Sequence, residues 1–198
     1  MFENILVIIP CRAGSQRFPH KNTALFQGVP LVVNTINIAW EAELNNILVS
    51  TDDKDVMDLC DANNVRYTSR PAELCGPDAK SEDVVAHAAE YAQYDLSLKF
   101  DSICLMQVTS PLLNAGTLKT AVKLYLAQKL DSLTAVDSRY QPVGAFYITK
   151  EPGFTRTKSF YQENGGLYKL PAKQCLDVDY KYQIQIANQV ASGNVWGY

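Results

Sequence analysis

The sequence predicts an α/β protein with three layers, in which helices cover both faces of a mostly parallel central sheet. Residues 5–9 are all apolar, without the alternation of a half-exposed strand, which is typical of a strand buried on both faces of a parallel sheet. Strand-like and helix-like stretches then alternate, which favours parallel strands joined by helical crossovers. A cationic loop follows the first strand, where open α/β sheets bind ligands.

The elements are predicted in order from apolar spacing and from turn and capping residues. The first strand ends at Pro10. Further strands are expected at residues 47–50, 65–68, 102–106, 133–136, 142–148 and 167–170. Helices are expected to begin after Pro30 and near Asp53, Glu82, Ala115 and Tyr180. Residues 151–164 are expected to be irregular and Gly165-Gly166 to form a turn, whereas residues 175–179 are interpreted as a short strand.

Composition excludes several classes of function. The 198 residues suit one domain, and a net charge of −3 with a pI of about 5.4 argues against a broad basic face for nucleic acid or anionic lipid. No apolar run approaches the ~20 residues that cross a bilayer, so we expect no membrane span. The chain begins directly with the predicted strand, which favours a cytoplasmic location.

The five cysteines are scattered and never spaced C-x-x-C. This pattern argues against a disulfide framework and against a zinc site, so we expect reduced thiols. Cys11 lies inside the cationic loop, where we interpret it as a small space-filling residue.

The loop after the first strand gathers Arg12, Arg17 and Lys21 around Gly14 and Ser15. Such a loop at the end of a buried strand is a natural cradle for phosphates, although a merely solvated basic loop is the alternative. It is neither the G-x-G-x-x-G turn of dinucleotide-binding proteins nor a P-loop ending in G-K-S or G-K-T. An NAD-linked dehydrogenase is therefore poorly supported.

Residues 10–22, PCRAGSQRFPHKN, resemble the P-A-R-x-G-S-x-x-x-P-x-K-N signature of the CMP-sugar synthetase family, which couples CTP to acidic sugars. Three later segments are similar to motifs of the same family, in the same order. They are R-P-A-E-L at residues 70–74 with Ser81 downstream, Q-V-T-S-P-L at residues 107–112, and P-V-G-A-F-Y-I at residues 142–148. Without this match, a ligand-free polar turn would explain residues 107–112 equally well.

Asp177 and Asp179 stand two apart, so within a strand both carboxylates would project to the same face, as in a site for a hard cation. Alternatively, Asp179 is only the N-cap of the last helix. The family's D-x-D before a helix favours the metal interpretation, with Mg²⁺ as the cofactor.

The resemblance implies a Rossmann-like nucleotidyltransferase fold over residues 1–198. The implied reaction is transfer of CMP from CTP to the anomeric hydroxyl of a sialic acid-like sugar, releasing pyrophosphate, for cell-surface glycan synthesis. Arg12, Lys21, Asp177 and Asp179 would be catalytic. The residues implied to bind the nucleotide are Arg12, Ser15, Arg17, Lys21, Asn22, Arg70, Ser81 and Gln107. A non-catalytic nucleotide-binding protein, or a nucleotide-sugar pyrophosphorylase with another base or sugar, stays open.

This chain departs from the family pattern at two places. Gln16 stands where many sialic acid enzymes have lysine, while Arg17 makes the loop similar to the KDO and pseudaminic acid branches. The family's long dimerisation arm is shortened near residues 137–142, and Gln141 stands at an arginine position. The resemblance therefore implies a homodimer weakened by the shortened arm, with the sheet edge near Phe146 as a replacement surface.

Overall fold

The computed structural model describes Phe2 and residues 4–193, which form one seven-stranded sheet, a small hairpin and flanking helices. The strands are β1 (Ile5–Cys11), β2 (Leu25–Phe26), β3 (Val29–Pro30), β4 (Asn46–Thr51), β5 (Arg66–Ser69), β6 (Ser102–Met106), β7 (Ser132–Val136), β8 (Pro142–Lys150) and β9 (Gly165–Lys169). The helices are α1 (Leu31–Glu41), α2 (Lys54–Ala62), α3 (Ser81–Tyr94), α4 (Ala115–Ala127), α5 (Glu151–Thr157) and α6 (Lys181–Ala191).

The strands of the large sheet lie in the order β5-β4-β1-β6-β8-β7-β9. β1 pairs in parallel with β4 and β6, β4 pairs in parallel with β5, and β7 pairs in parallel with β9. β8 pairs antiparallel with both β6 and β7. Among the described residues, β8 is the one strand of this sheet that opposes the others, so the prediction of a mostly parallel sheet is confirmed.

The side chains of β1 enter two separate cores, one on each face of the sheet. Val7 and Ile9 pack in the core formed with α1, α2, α4 and α6. Leu6 and Ile8 pack in the core formed with α3 and with Phe154 of α5. All four β1 side chains are fully buried, because helices cover both faces of the strand. The predicted three-layer architecture is therefore confirmed.

Pro10 does not end the first strand, which continues to Cys11. The pairing of β1 with β6 stops at Ile8 and Leu105, whereas its pairing with β4 continues to Cys11 and Thr51. At Pro10 the strand therefore has a neighbour on one side only. Proline is tolerated at such edge-like positions, because its missing N–H is not needed on the open side.

The helix α5 lies in a segment that was expected to be irregular. It has seven residues, with Pro152 in its first turn and one buried apolar anchor, Phe154, whose ring centroid lies 5.1 Å from that of Phe160. Proline is well accommodated at the start of a helix. A helix this short, with a single buried anchor, has too few apolar residues to show helical periodicity in the sequence.

Gly165 and Gly166 belong to β9 rather than to a turn. A Cβ atom on Gly166 would lie 2.6 Å from Leu130 Cδ1, and one on Gly165 would lie 2.8 Å from Ser132 Oγ. Close packing against β7 and the residues before it therefore explains the two glycines.

Phe146 is fully buried on β8, between β6 and β7. The expectation of an exposed sheet edge near Phe146 is wrong, because β8 follows β7 in sequence but inserts between β7 and β6. The edge strands of the described sheet are β5 and β9.

The structure agrees with the sequence on two general points. No helix in the described part of the chain is long and apolar enough to cross a membrane. All five cysteines lie in the described residues and are free, as predicted. Cys11 is completely buried, and burial raises the pKa of its thiol, in keeping with a space-filling role.

Candidate active site

The candidate site is a cavity of about 580 Å³ beyond the carboxyl ends of β1 and β6. All the residues that the sequence and the resemblance single out line this one cavity: Arg12, Ser15, Arg17, Lys21, Asn22, Arg70, Ser81, Gln107, Asp177 and Asp179. They come from distant segments, and the sheet topology brings their loops to one edge. The structure therefore brings the predicted site together, while the role of each residue stays a prediction.

A second cavity, of about 460 Å³, lies at the opposite end of the sheet, between the start of β6 and the end of α4. Ser102 and Tyr125 line it and share a buried hydrogen bond of 2.9 Å between their hydroxyl oxygens. None of the predicted site residues lines this cavity. The cavity at the carboxyl ends is therefore the candidate active site.

Two polar contacts fix the start of the loop that follows β1. The Ala13 N–H donates to Asp52 Oδ1 over 2.8 Å, which ties the loop to the end of β4. Asn22 is 5% exposed, and its Nδ2 donates to the Arg12 carbonyl oxygen over 3.0 Å. These contacts hold the Arg12 backbone in place, so the Arg12 side chain extends into the cavity from a fixed backbone position.

Two cations of the loop meet one carboxylate from the far end of the chain. Arg17 Nη2 lies 2.8 Å from Asp179 Oδ2, and Lys21 Nζ lies 3.1 Å from Asp179 Oδ1. The cavity wall contains four cationic side chains, including Arg12 and Arg70, but two carboxylates. Its net charge is therefore positive, which suits a polyanionic ligand such as a triphosphate.

Arg70 forms a buried part of the same wall. It is 7% exposed, and its Nη2 donates to the Ser50 carbonyl oxygen over 2.9 Å. Burial lowers the pKa of Arg70, but an arginine pKa starts so high that the side chain keeps its charge. Arg70 is therefore a fixed positive charge at the end of β4.

Asp177 and Asp179 do not lie in a strand, contrary to expectation. Residues 172–175 form a short 3₁₀ turn, and the chain then runs extended without ladder pairing to the start of α6. Val178 between them is fully buried, and its N–H donates to the Thr109 carbonyl oxygen over 2.8 Å. With Val178 anchored on the buried side, both carboxylates lie on the cavity side, so the predicted alternation is present without a sheet.

The donor set around the two carboxylates fits a hard divalent cation. The pKa of Asp177 is raised, chiefly because the surrounding cavity wall partly excludes water, while the nearby Thr109 hydroxyl acts in the opposite direction. Thr109 lines the cavity, and its buried Oγ1 has no partner with full hydrogen-bond geometry among the described residues. Two carboxylates beside room for water and phosphate oxygens are typical of a Mg²⁺ site. The described residues contain no cluster of three or more side-chain ligands, so the substrate would have to complete the coordination.

Gln183 is a supporting residue that the sequence prediction missed. Its Oε1 accepts hydrogen bonds from the N–H groups of both Asp179 and Tyr180, each over 2.7 Å. A glutamine three residues after the helix N-cap is half of a capping box, and that spacing could have identified it. Gln183 therefore fixes the backbone that presents Asp179.

The side chain of Gln107 lies against Gly144 of β8, next to the cavity. A Cβ atom on Gly144 would lie 2.0 Å from Gln107 Oε1 and 3.0 Å from its Cδ. Only a residue without a side chain leaves room for this close approach. Gly144 therefore leaves the space that the Gln107 amide occupies.

We expect Gly144→Ala to weaken CTP binding about two- to tenfold, the worth of one hydrogen bond, because the new methyl group displaces Gln107. Calorimetric titration with CTP measures the effect. Gly76→Ala is the matched control, since a Cβ atom there meets nothing within 4 Å. Equal affinities of the Gly144→Ala variant and the unaltered protein would contradict a role for Gln107 in binding.

The sheet and the cavity together define an α/β protein whose carboxyl edge suits a phosphate-rich ligand. A solved structure of CMP:2-keto-3-deoxy-manno-octonic acid synthetase, complexed with CTP, has the same fold. The TM-score is 0.75 with 13% sequence identity, and the match covers 96% of this chain and 99% of the other.

The chain belongs to the cytidylyltransferase family, whose model matches residues 6–164. This match includes the cationic loop and the residues after β4 and β6. Asp177 and Asp179 lie beyond it, so their place in the site rests on the geometry described above.

Two relatives illustrate the similarity. The chain is 29% identical to CMP-N,N'-diacetyllegionaminic acid synthase of Legionella pneumophila over 195 residues, covering 87% of this chain and 80% of the relative. It is 26% identical to N-acylneuraminate cytidylyltransferase of Streptococcus agalactiae serotype V over 211 residues, covering 88% of this chain. The chain spans about half, 50%, of that second relative.

Proposed function

We propose that this protein transfers CMP from CTP to the anomeric hydroxyl of a sialic acid-like acidic sugar and releases pyrophosphate, for cell-surface glycan synthesis. One observation carries the proposal: the candidate residues, which lie between positions 12 and 179, line a single cavity. Membership of the cytidylyltransferase family supports the transfer of a cytidylyl group. The relatives, named for legionaminic acid and N-acylneuraminate, support an acidic acceptor sugar.

In this proposal, Arg12, Arg17 and Lys21 bind the β- and γ-phosphates of CTP. Negative charge on the phosphates repels the attacking hydroxyl and builds up on the departing pyrophosphate. Fixed cations that contact these oxygens therefore lower the barrier by positioning and by charge stabilisation. Lys21 is the most enclosed member of the two ion pairs with Asp179, with a side chain 15% exposed, so water screens its charge least.

Asp177 and Asp179 would hold Mg²⁺. When bound, the cation supplies charge neutralisation and Lewis-acid polarisation of phosphate oxygens. The two carboxylates bring that charge next to the triphosphate site, because Asp179 already contacts both Arg17 and Lys21. Thr109, whose hydroxyl lies beside Asp177, is available to orient this carboxylate.

The nucleoside is proposed to lie between β1 and β6, near Asn22, Arg70, Ser81 and Gln107. Ser81 begins α3, and the Asn22 amide nitrogen already supports the loop. Gln107, which packs against Gly144, offers both a donor and an acceptor, the pair of functions needed to recognise a base edge.

We propose at most a weak homodimer, because the connection between β7 and β8 is short. Five residues, 137–141, make this turn, and Asp137 accepts hydrogen bonds from the N–H groups of Arg139 and Gln141. These bonds lower the pKa of Asp137, the larger effect coming from Gln141. A turn this compact leaves no arm to embrace a second subunit. We propose a cytoplasmic reaction, in keeping with membership of the cytidylyltransferase family.

The test is pyrophosphate release from CTP and Mg²⁺ with a panel of sialic, legionaminic, pseudaminic and KDO acids. We expect release with CTP and at least one of these sugars, and none without a sugar. UTP in place of CTP is the control for the base. Tight CTP binding without release for any sugar of the panel would contradict catalysis, and equal rates with UTP would contradict the assignment of the base.

A further inference from the structure

An aromatic ring lies next to the exposed arginine of the cationic loop. The Arg17 Cζ atom lies 5.4 Å from the centre of the Tyr180 ring, within the range of a cation–π interaction. The side chain of Arg17 is 58% exposed, so few other parts of the protein restrain it. Contact with the Tyr180 hydroxyl raises the pKa of Arg17, and the charge of Asp179 raises it further. Arg17 therefore has two partners, one uncharged and one anionic.

Tyr180 is held more firmly than the arginine it contacts. Its N–H donates to Gln183 Oε1 over 2.7 Å at the start of α6. Its ring stacks on that of Tyr182, with centroids 5.9 Å apart and an angle of 20° between the planes. A long arginine side chain on an irregular loop loses considerable rotamer entropy when it binds a ligand. A fixed ring beside it lowers that cost, because it restricts the rotamers beforehand.

The two partners of Arg17 respond differently to a divalent cation. Asp179 is also one of the two carboxylates that fit Mg²⁺, and a cation bound there repels the guanidinium and weakens the ion pair. The Tyr180 ring carries no charge, so its interaction with Arg17 does not depend on whether Asp179 holds a cation.

We propose that Tyr180 is a positioning residue, which keeps Arg17 at the mouth of the cavity when the Asp179 carboxylate turns from the arginine to a divalent cation. This inference rests on the proposed function, because it takes CTP and a divalent cation as the ligands of the cavity. Tyr180 itself does not need to touch the nucleotide. Its effect on CTP binding passes through Arg17 and depends on the cation.

The test is calorimetric titration with CTP alone, without sugar, in Mg²⁺ and separately in EDTA. We expect Tyr180→Leu to weaken CTP binding about two- to fivefold in Mg²⁺, the worth of an exposed cation–π contact. In EDTA the ion pair with Asp179 still holds Arg17, so the affinity should be unchanged. Tyr180→Phe keeps the ring but loses the hydroxyl, so in Mg²⁺ it should bind CTP more tightly than Tyr180→Leu, and in EDTA like the unaltered protein.

Two further variants separate positioning from a general structural effect. Tyr94→Leu, the control, removes an exposed ring at the end of α3, outside the cavity, and should leave CTP affinity unchanged. In an Arg17→Ala background, Tyr180→Leu should have no further effect. An equal loss in Mg²⁺ and EDTA, a loss that persists without Arg17, or tighter CTP binding by Tyr180→Leu would overturn the inference. If the unaltered protein fails to bind CTP, the proposed function fails first, and this inference fails with it.

Discussion

Asp179→Asn is expected to lower the rate of pyrophosphate release by about two to three orders of magnitude, the usual cost of removing one group that stabilises charge in a transition state. Asparagine has nearly the same shape as aspartate but no negative charge. The variant therefore loses a proposed ligand of Mg²⁺ and the partner of two cations, since Asp179 lies 2.8 Å from Arg17 and 3.1 Å from Lys21. The measurement is the release rate at saturating CTP, sugar and Mg²⁺.

The position of Asp179 makes a pure folding defect a poor explanation for such a loss. The Gln183 side chain contacts the backbone of residue 179, not its carboxylate, so that support remains in the variant. Asp58→Asn is the matched control, because it removes an exposed carboxylate paired with Lys54 on α2, outside the cavity. Release within threefold of normal by Asp179→Asn would contradict both the metal site and its catalytic role.

The parts of the fold predicted correctly are those that strong local patterns specify. The apolar run of β1 predicts that both faces of this strand are shielded from water, and α1, α3 and α4 pack against them. Helix α2 follows its N-cap, because the Asp53 carboxylate accepts a hydrogen bond from the Asp55 N–H, as the run of aspartates indicates. The candidate site could be predicted for a similar reason. Arg12, Arg70 and Gln107 directly follow strands, and parallel strands bring those ends to one edge.

The features that escaped prediction depend on contacts between distant residues. Lys21 and Asp179 are 158 positions apart, and their ion pair has no local signal in the sequence. The close approach of Gln107 to Gly144 depends on how β8 inserts between β6 and β7. The alternation of the two carboxylates predicts a strand, whereas in the structure it arises from an unpaired segment held by the bonds from Val178 to Thr109 and from Asp179 to Gln183. Local patterns specify which residues face a site better than they specify the backbone that carries them.

Arg12→Ala is expected to lower kcat/KM for CTP by about a hundredfold or more. A guanidinium can form two hydrogen bonds with a phosphate, and hydrogen bonds to charged groups contribute about 1.5–3 kcal/mol each. Arg12 suits this role, since its backbone is fixed through Asn22 whereas its side chain is lightly held. The contact from its Nη1 to the Cys75 carbonyl oxygen is 3.5 Å long, a weak hydrogen bond that a phosphate would readily replace. Steady-state kinetics with varied CTP measure the loss.

Arg12→Lys distinguishes the charge of Arg12 from its shape. Lysine keeps the positive charge but loses the planar fork that binds two phosphate oxygens at once, so we expect a loss intermediate between Arg12→Ala and the unaltered protein. Arg66→Ala, on the exposed edge strand β5, removes an arginine outside the cavity and should change nothing. Lys21 and Arg17 both pair with Asp179, whereas no carboxylate among the described residues pairs with Arg12. Arg12 is therefore the loop cation most available to a phosphate. Near-normal kcat/KM for Arg12→Ala would contradict the proposal that this loop binds the phosphates of CTP.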